Sequence, residues 1–183
     1  MPITRSDKVP ELLQFSDKTV LVNQRLLIKI VGGDAYLAGQ RIEDVASGGS
    51  AYFEFENPSG SGVYANIIMI SLSGTGNARV NMYPKGRYTV TASGTDVEVL
   101  NLSPASGKTA KCKFRYGGSY TLGTPVIRQV LPGGSRIRAV GATIMTDLNL
   151  RMSEGYSLLA EIVNQSASAE DFSAKIIWWE EPI

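Results

Sequence analysis

Apolar and polar residues alternate along much of the chain. In Ala51-Tyr52-Phe53-Glu54-Phe55-Glu56, the residues Ala51, Phe53 and Phe55 point one way and Tyr52, Glu54 and Glu56 the other. Ala78, Val80 and Met82 oppose Arg79, Asn81 and Tyr83. Ala110, Cys112, Phe114 and Tyr116 oppose Lys111, Lys113 and Arg115, and Leu148, Leu150 and Met152 oppose Asn149 and Arg151. Successive side chains of a strand project to opposite faces, so this period predicts strands with one face in a core and one in water. Antiparallel sheets have that pattern. Three more segments, 65–72, 157–163 and 174–179, are apolar on both sides. They read as central strands, or as strands whose outer face meets another subunit. The last two share a run without Gly or Pro that is long enough for a helix. Their Val, Ile and Trp content and the polar break at 164–171 favour two strands and a loop.

Turn residues punctuate the pattern. The chain has 19 glycines, and most fall in clusters such as Gly32-Gly33-Asp34, Ser47-Gly48-Gly49-Ser50, Pro58-Ser59-Gly60-Ser61-Gly62, Ser73-Gly74-Thr75-Gly76 and Pro132-Gly133-Gly134. Short strands at such spacing predict a sandwich or barrel, and no strand–helix–strand alternation points to an α/β fold. The expected fold class is all-β, an antiparallel β-sandwich. Residues 1–16 carry mixed charge, Pro2 and Pro10 and no alternation. They read as an N-terminal arm or as a loose terminus, ahead of a sandwich domain over 17–183. Within 17–49, the apolar runs Thr19–Val22 and Leu26–Val31 either join the sheet as an edge extension or belong to an arm that pairs with a neighbour. Helix signals are weak: Pro10–Phe15 could form a turn or two, and Ile42–Val45 is too short to stand alone.

Composition narrows the chemistry. Of 183 residues, 43% are hydrophobic and 19% charged, which fits one ordered domain. The net charge of +1 lacks the cationic excess of a sequence-independent nucleic-acid binder. No uninterrupted apolar stretch of about 18 residues predicts a membrane helix, and the N-terminus has no signal-peptide h-region. There is no histidine and a single cysteine, Cys112. Histidine-dependent triads and cysteine-rich zinc sites are thereby excluded, as is an intrachain disulfide. Cys112 lies on the apolar side of its segment and reads as a buried, inert thiol.

The motif candidates are thin. Ser106-Gly107-Lys108-Thr109 resembles the end of a phosphate-binding loop, but Leu102 stands where that motif needs its first glycine, and a strand follows instead of a helix. Gly74-Thr75-Gly76 fails as a dinucleotide fingerprint, with Arg79 at the third glycine position. The acidic pairs Glu43-Asp44, Glu170-Asp171 and Glu180-Glu181 read as surface charges. Lys111, Lys113 and Arg115 form a basic stripe, either a contact for an acidic partner or a solvated strand face; Arg136 and Arg138 pose the same choice. Adjacent Trp178 and Trp179 should point to opposite faces, one into the core and the other outward or into a contact.

Two stretches resemble small β-sandwich structural proteins of tailed-phage virions, such as head decoration proteins and head- or tail-associated fibre proteins. The first is Phe53-Glu54-Phe55-Glu56-Asn57-Pro58-Ser59-Gly60-Ser61-Gly62 with Val63-Tyr64-Ala65-Asn66-Ile67. The second runs from Leu148 to Glu181, through Gly155-Tyr156-Ser157-Leu158-Leu159, Val163-Asn164-Gln165-Ser166 and Ile177-Trp178-Trp179-Glu180-Glu181. Residues 1–49 carry none of it. The resemblance implies a jelly-roll-like domain that forms a homo-oligomer, often a trimer, and binds major capsid or other virion proteins. The expected function is therefore a virion structural protein, a capsid decoration or cementing protein made in the host cytoplasm. It would be no enzyme and would need no cofactor, metal, nucleic acid or membrane. The alternative is a carbohydrate-binding or host-attachment module of a tail or fibre. The interface candidates are Ile3, Leu12, Leu13 and Phe15 of the arm, the stripe Lys111, Lys113 and Arg115, and the outward member of Trp178 and Trp179.

Overall fold

The computed structural model describes residues 26–132 and 141–183, with 141–149 described by backbone alone. Residues 26–31 form a short helix, α1. It ends at Gly32 and Gly33, whose N–H groups return to the carbonyls of Ile28 and Ile30. Gly33 adopts a φ of 74°, a conformation that glycine reaches without steric cost. The run Leu26–Val31 is thus no strand of the sheet. Its Lys29 reaches Glu181 at 3.3 Å.

Eight strands make the frame: β1 (Ala35–Val45), β2 (Ser50–Asn57), β3 (Val63–Gly74), β4 (Ala78–Pro84), β10 (Ile127–Leu131), β11 (Gly141–Met152), β12 (Tyr156–Asn164) and β13 (Glu170–Pro182). Between β4 and β10 lie the shorter β5 (Tyr88–Ala92), β6 (Thr95–Asp96), β7 (Leu100–Asn101), β8 (Lys113–Tyr116) and β9 (Ser119–Leu122). One sheet runs β11-β3-β13-β1-β7, the other β10-β4-β12-β2-β8-β6, and every pairing is antiparallel.

The connectivity is that of a jelly roll. First pairs with last, β1 with β13; then β2 with β12, β3 with β11, and β4 with β10. The chain is in effect one long antiparallel ribbon, rolled so that its halves face each other. The pairs β13–β3 and β12–β4 close the roll into two sheets. β1 is therefore an integral strand: residues 35–45 of the stretch 17–49 are part of the sandwich.

The core follows the alternation. Ala51, Phe53 and Phe55 of β2, Val80 and Met82 of β4, Ile67 and Leu72 of β3, and Phe172, Ile176 and Trp178 of β13 meet between the sheets. Strands 65–72, 157–163 and 174–179 are central, as their two-sided hydrophobicity predicts. The segment between β4 and β10 takes part too. β8 extends one sheet and β7 the other, beside β2 and β1 respectively. Cys112 and Phe114 are buried in the core, Phe114 stacking on Phe53 at 6.1 Å. The insertion thus seals the β1/β2 side of the sandwich. Of the strand expected over 110–116, only Lys113–Tyr116 forms. The backbone N–H groups of Lys111 and Cys112 are drawn to the buried carboxylate of Glu180 instead.

Candidate functional site

The structure redistributes the predicted site residues. Ile3, Leu12, Leu13 and Phe15 lie outside the described residues, as do Arg136 and Arg138. Within the basic stripe Arg115 is taken up by acidic neighbours, while Lys111 and Lys113 stay exposed. Arg115 pairs with Glu56 at 2.6 Å and Asp96 at 2.7 Å, with Glu54 at 3.6 Å, and Lys113 lies 3.6 Å from Asp96. Lys111 is exposed and contributes its backbone N–H to Glu180. Trp178 is fully buried against Tyr36 and Phe55 and donates to Glu180 Oε1 at 3.1 Å. Trp179 points to the opposite face as expected, yet is only 7% exposed, so it offers no outward anchor. Glu180, expected on the surface, is buried and gathers donors from the 111–112 backbone and from Trp178. The surface reading holds for Glu43 and Asp44, both exposed, while half-buried Asp171 pairs with Arg41 and accepts from the Asp44 N–H.

A buried polar layer lies where the alternation placed water. The two-stranded sheet β5–β9 lies over the outer face of the six-stranded sheet, where Tyr88 reaches Glu54 and Ser157. Tyr88 donates to Glu54 Oε1 at 2.7 Å and also bonds Ser157. Tyr120 packs on Tyr52 and Tyr88, with ring centroids 5.1 and 5.8 Å apart. Glu54, Asn81, Tyr83, Leu159 and Glu161 of that face are all buried. Glu161 accepts from Asn81 Nδ2 at 2.8 Å, Tyr83 at 2.9 Å and Ser50 at 3.0 Å, with Tyr52 at 3.5 Å. A buried carboxylate so surrounded is held by donors already committed to it. This layer ties β12 to β2 and β4 through Glu161, and the β5–β9 pair to the sheet through Tyr88.

Burial dominates the titration of the phenols and the thiol. Desolvation, and then the Glu161 carboxylate, push Tyr83 up to about 12 from 10.0. Desolvation, followed by the charge of Glu180, does the same for Tyr36. The fold favours the protonated phenols, while the unfolded chain ionises first, near 10. Stability from this source is therefore complete below that pH and lost as pH rises from about 10 towards 12. Urea midpoints measured across that range should fall, and Tyr83→Phe should flatten the decline. Burial likewise raises the Cys112 thiol. Cys112 should be unreactive to a disulfide reagent in the native protein and react at once in denaturant, as spectrophotometric thiol counting would show.

The exposed apolar residues include Leu27, Ile28 and Val31 on α1, and Val126 and Val130 at the β10 edge. The β1 edge is guarded. The carbonyl of Ala35 accepts from Leu102, so residues of the same parity, Gly39 and Arg41, turn their backbone groups to that edge. β7 covers it at Tyr36 and Leu37. Beyond them, the Gln40 amide caps the Arg41 carbonyl, charged Arg41 and Glu43 follow, and a bulge at Asp44, with φ 54°, ends the regular pairing. Such devices oppose indiscriminate strand addition.

The motif residues behind the phage resemblance take fold-building roles. Asn57, fully buried, donates to the carbonyls of Val63 and Met152 and accepts from Ser61. Its own carbonyl accepts from Gly155 at 2.7 Å. Asn164 ties Val45 to Ser168. Searches against models of protein families and against curated protein sequences returned no match for this chain.

Proposed function

We propose that this chain is a structural protein of a virus particle, a decoration or cementing protein that binds neighbouring coat subunits. The observation that carries the reading is how the two phage-like stretches combine. Phe53–Ile67 and Leu148–Glu181 are distant in sequence, yet they supply β2, β3, β12 and β13, and they interlock through Asn57. The resemblance therefore falls on one coherent unit of a jelly roll. A guarded β1 edge also suits a protein that is packed at high local concentration and must not aggregate. Attachment would come from several modest contacts made at once, the exposed apolar residues of α1 and β10 among them, since linked contacts reinforce each other through effective concentration.

The test is the mass of the purified chain by light scattering, followed by co-sedimentation with particles of its virus. A closed oligomer, a trimer first, that pellets with particles is the expected result. A chain that stays monomeric at all concentrations and remains in the supernatant would sink the reading.

A further inference from the structure

A groove of about 350 Å³ opens at the end of the sandwich where β1 begins and β13 ends. Tyr36 and Glu180, 3% and 6% exposed, lie deepest in it. Val63, Pro182 and the loop at 107–111 form its walls. Those walls are fixed. The Asn101 amide nitrogen lies 2.9 Å from the Gly33 carbonyl, 2.8 Å from Ser106 Oγ and 2.9 Å from the Lys108 carbonyl, which pins the loop to the turn before β1. On the other side Pro182 pairs with Val63.

Tyr36 is the group the fold does not account for. Its ring packs on Trp178 at 5.7 Å, and its hydroxyl feels the charges of Glu180 and Asp34. Among the described residues that hydroxyl makes no hydrogen bond. A nearly buried phenol without a partner calls for one from outside. Glu180 beside it is filled unequally. Its Oε1 accepts from the N–H groups of Lys111 and Cys112 and from the Trp178 indole, and its Oε2 from Lys111 N–H alone, at 3.0 Å. A carboxylate oxygen has room for a second donor. At the rim stand Thr109, Lys111 and Lys108, whose ammonium lies 2.7 Å from Asp34 Oδ1.

Charge narrows the occupant. Two carboxylates, Asp34 and Glu180, and two lysines, Lys108 and Lys111, line the groove, so their charges cancel. An anion would meet the carboxylates, and a cation the lysines. An apolar ligand would leave the Tyr36 hydroxyl unanswered. A neutral polyol escapes all three objections, because each of its hydroxyls both donates and accepts. A pyranose adds C–H groups that can rest on Val63 and Pro182. The volume lies at the small end of ligand sites, about one sugar ring and part of a second. We propose that this groove binds an uncharged sugar residue of a glycan. One sugar hydroxyl accepts from Tyr36 and donates to Glu180, which gives the phenol the partner it lacks. The inference does not rest on the particle reading, and the failure of either leaves the other standing.

The test is calorimetric titration with glucose, galactose, mannose and N-acetylglucosamine, followed by an array of neutral glycans beside sialylated and sulfated ones. At least one neutral sugar should bind, with an affinity nearly independent of salt. Tyr36→Phe removes only the unpartnered hydroxyl. It should weaken binding by about tenfold while the melting temperature holds or rises, since no hydrogen bond within the protein is lost. Thr109→Trp, at the exposed rim, should block the groove and abolish binding in a folded protein. The proposal is overturned if no neutral sugar or glycan binds, if the acidic glycans bind more tightly than every neutral one, or if Tyr36→Phe or Thr109→Trp binds as well as the parent.

Discussion

Trp178→Ala is expected to lower the unfolding free energy by about 4 kcal/mol, the middle of the range for large aromatic deletions in a core. Trp178 has no exposed surface and packs between Tyr36 of β1 and Phe55 of β2, so its ring joins the two sheets. Its indole N–H is also one of the donors that hold Glu180 Oε1 in the interior. Truncation opens a cavity and removes a donor from a buried carboxylate, and the two costs add in the same direction. Trp178→Phe separates them. It keeps most of the packing and loses the hydrogen bond, and should cost roughly 1–2 kcal/mol. Urea denaturation followed by circular dichroism measures both. An alanine variant within about 1 kcal/mol of the parent would show that the core does not depend on this ring.

The second large effect is expected at Glu161. Glu161→Leu fills similar space but leaves the Asn81 amide and the Ser50, Tyr52 and Tyr83 hydroxyls without their shared acceptor. Removing one side of a buried polar cluster costs about 3 kcal/mol, mostly through the groups left behind. Glu161→Gln retains an acceptor oxygen and should cost less. The diagnostic experiment is a double-mutant cycle with Tyr83→Phe. Once the Tyr83 hydroxyl is gone, Glu161→Leu orphans one group fewer, so the double variant should be more stable than additivity predicts, by about 1 kcal/mol. Strict additivity would mean that the Tyr83–Glu161 contact contributes nothing.

These two sites mark what the sequence made legible. Periodicity identified the strands and the side of each that faces the core; Phe53, Phe55, Val80, Met82 and Phe114 all lie where alternation puts them. It could not identify what covers the other side. Glu54 and Tyr83 alternate like solvent-facing residues yet both are buried, Glu54 beneath Tyr88 of the β5–β9 pair and Tyr83 against Glu161 of β12, partners that lie elsewhere in the sequence. Trp179 is the same case: its direction was readable and its burial was not. The pairing of Arg115 was hidden for a related reason, because Asp96 and Glu56 reach it through pairings of β8 with β6 and β2. Residues 110–112 alternate but form no strand, since the competing acceptor, Glu180, arrives from β13. A compositional hint was available in the crowding of tyrosines around the insertion, with Tyr83, Tyr88, Tyr116 and Tyr120 close together.

The rolled ribbon also has a consequence for biosynthesis. Its strand pairs are nested, with β4–β10 innermost and β1–β13 outermost. A chain emerging from the ribosome makes β1, β2 and β3 long before their partners exist, and β3 must wait for β11 and β13 to flank it. Ile67 and Leu72 stay uncovered until then. Pairing across such sequence distances is slow, and the waiting intermediates are prone to aggregate. The frame can close only when Ile176, Ile177 and Trp178 are laid between β1 and β3. The frame of this molecule is thus closed last, once β13 is available to pair with β1 and β3, and a product cut short before β13 should be cleared as waste rather than persist as a partial sandwich.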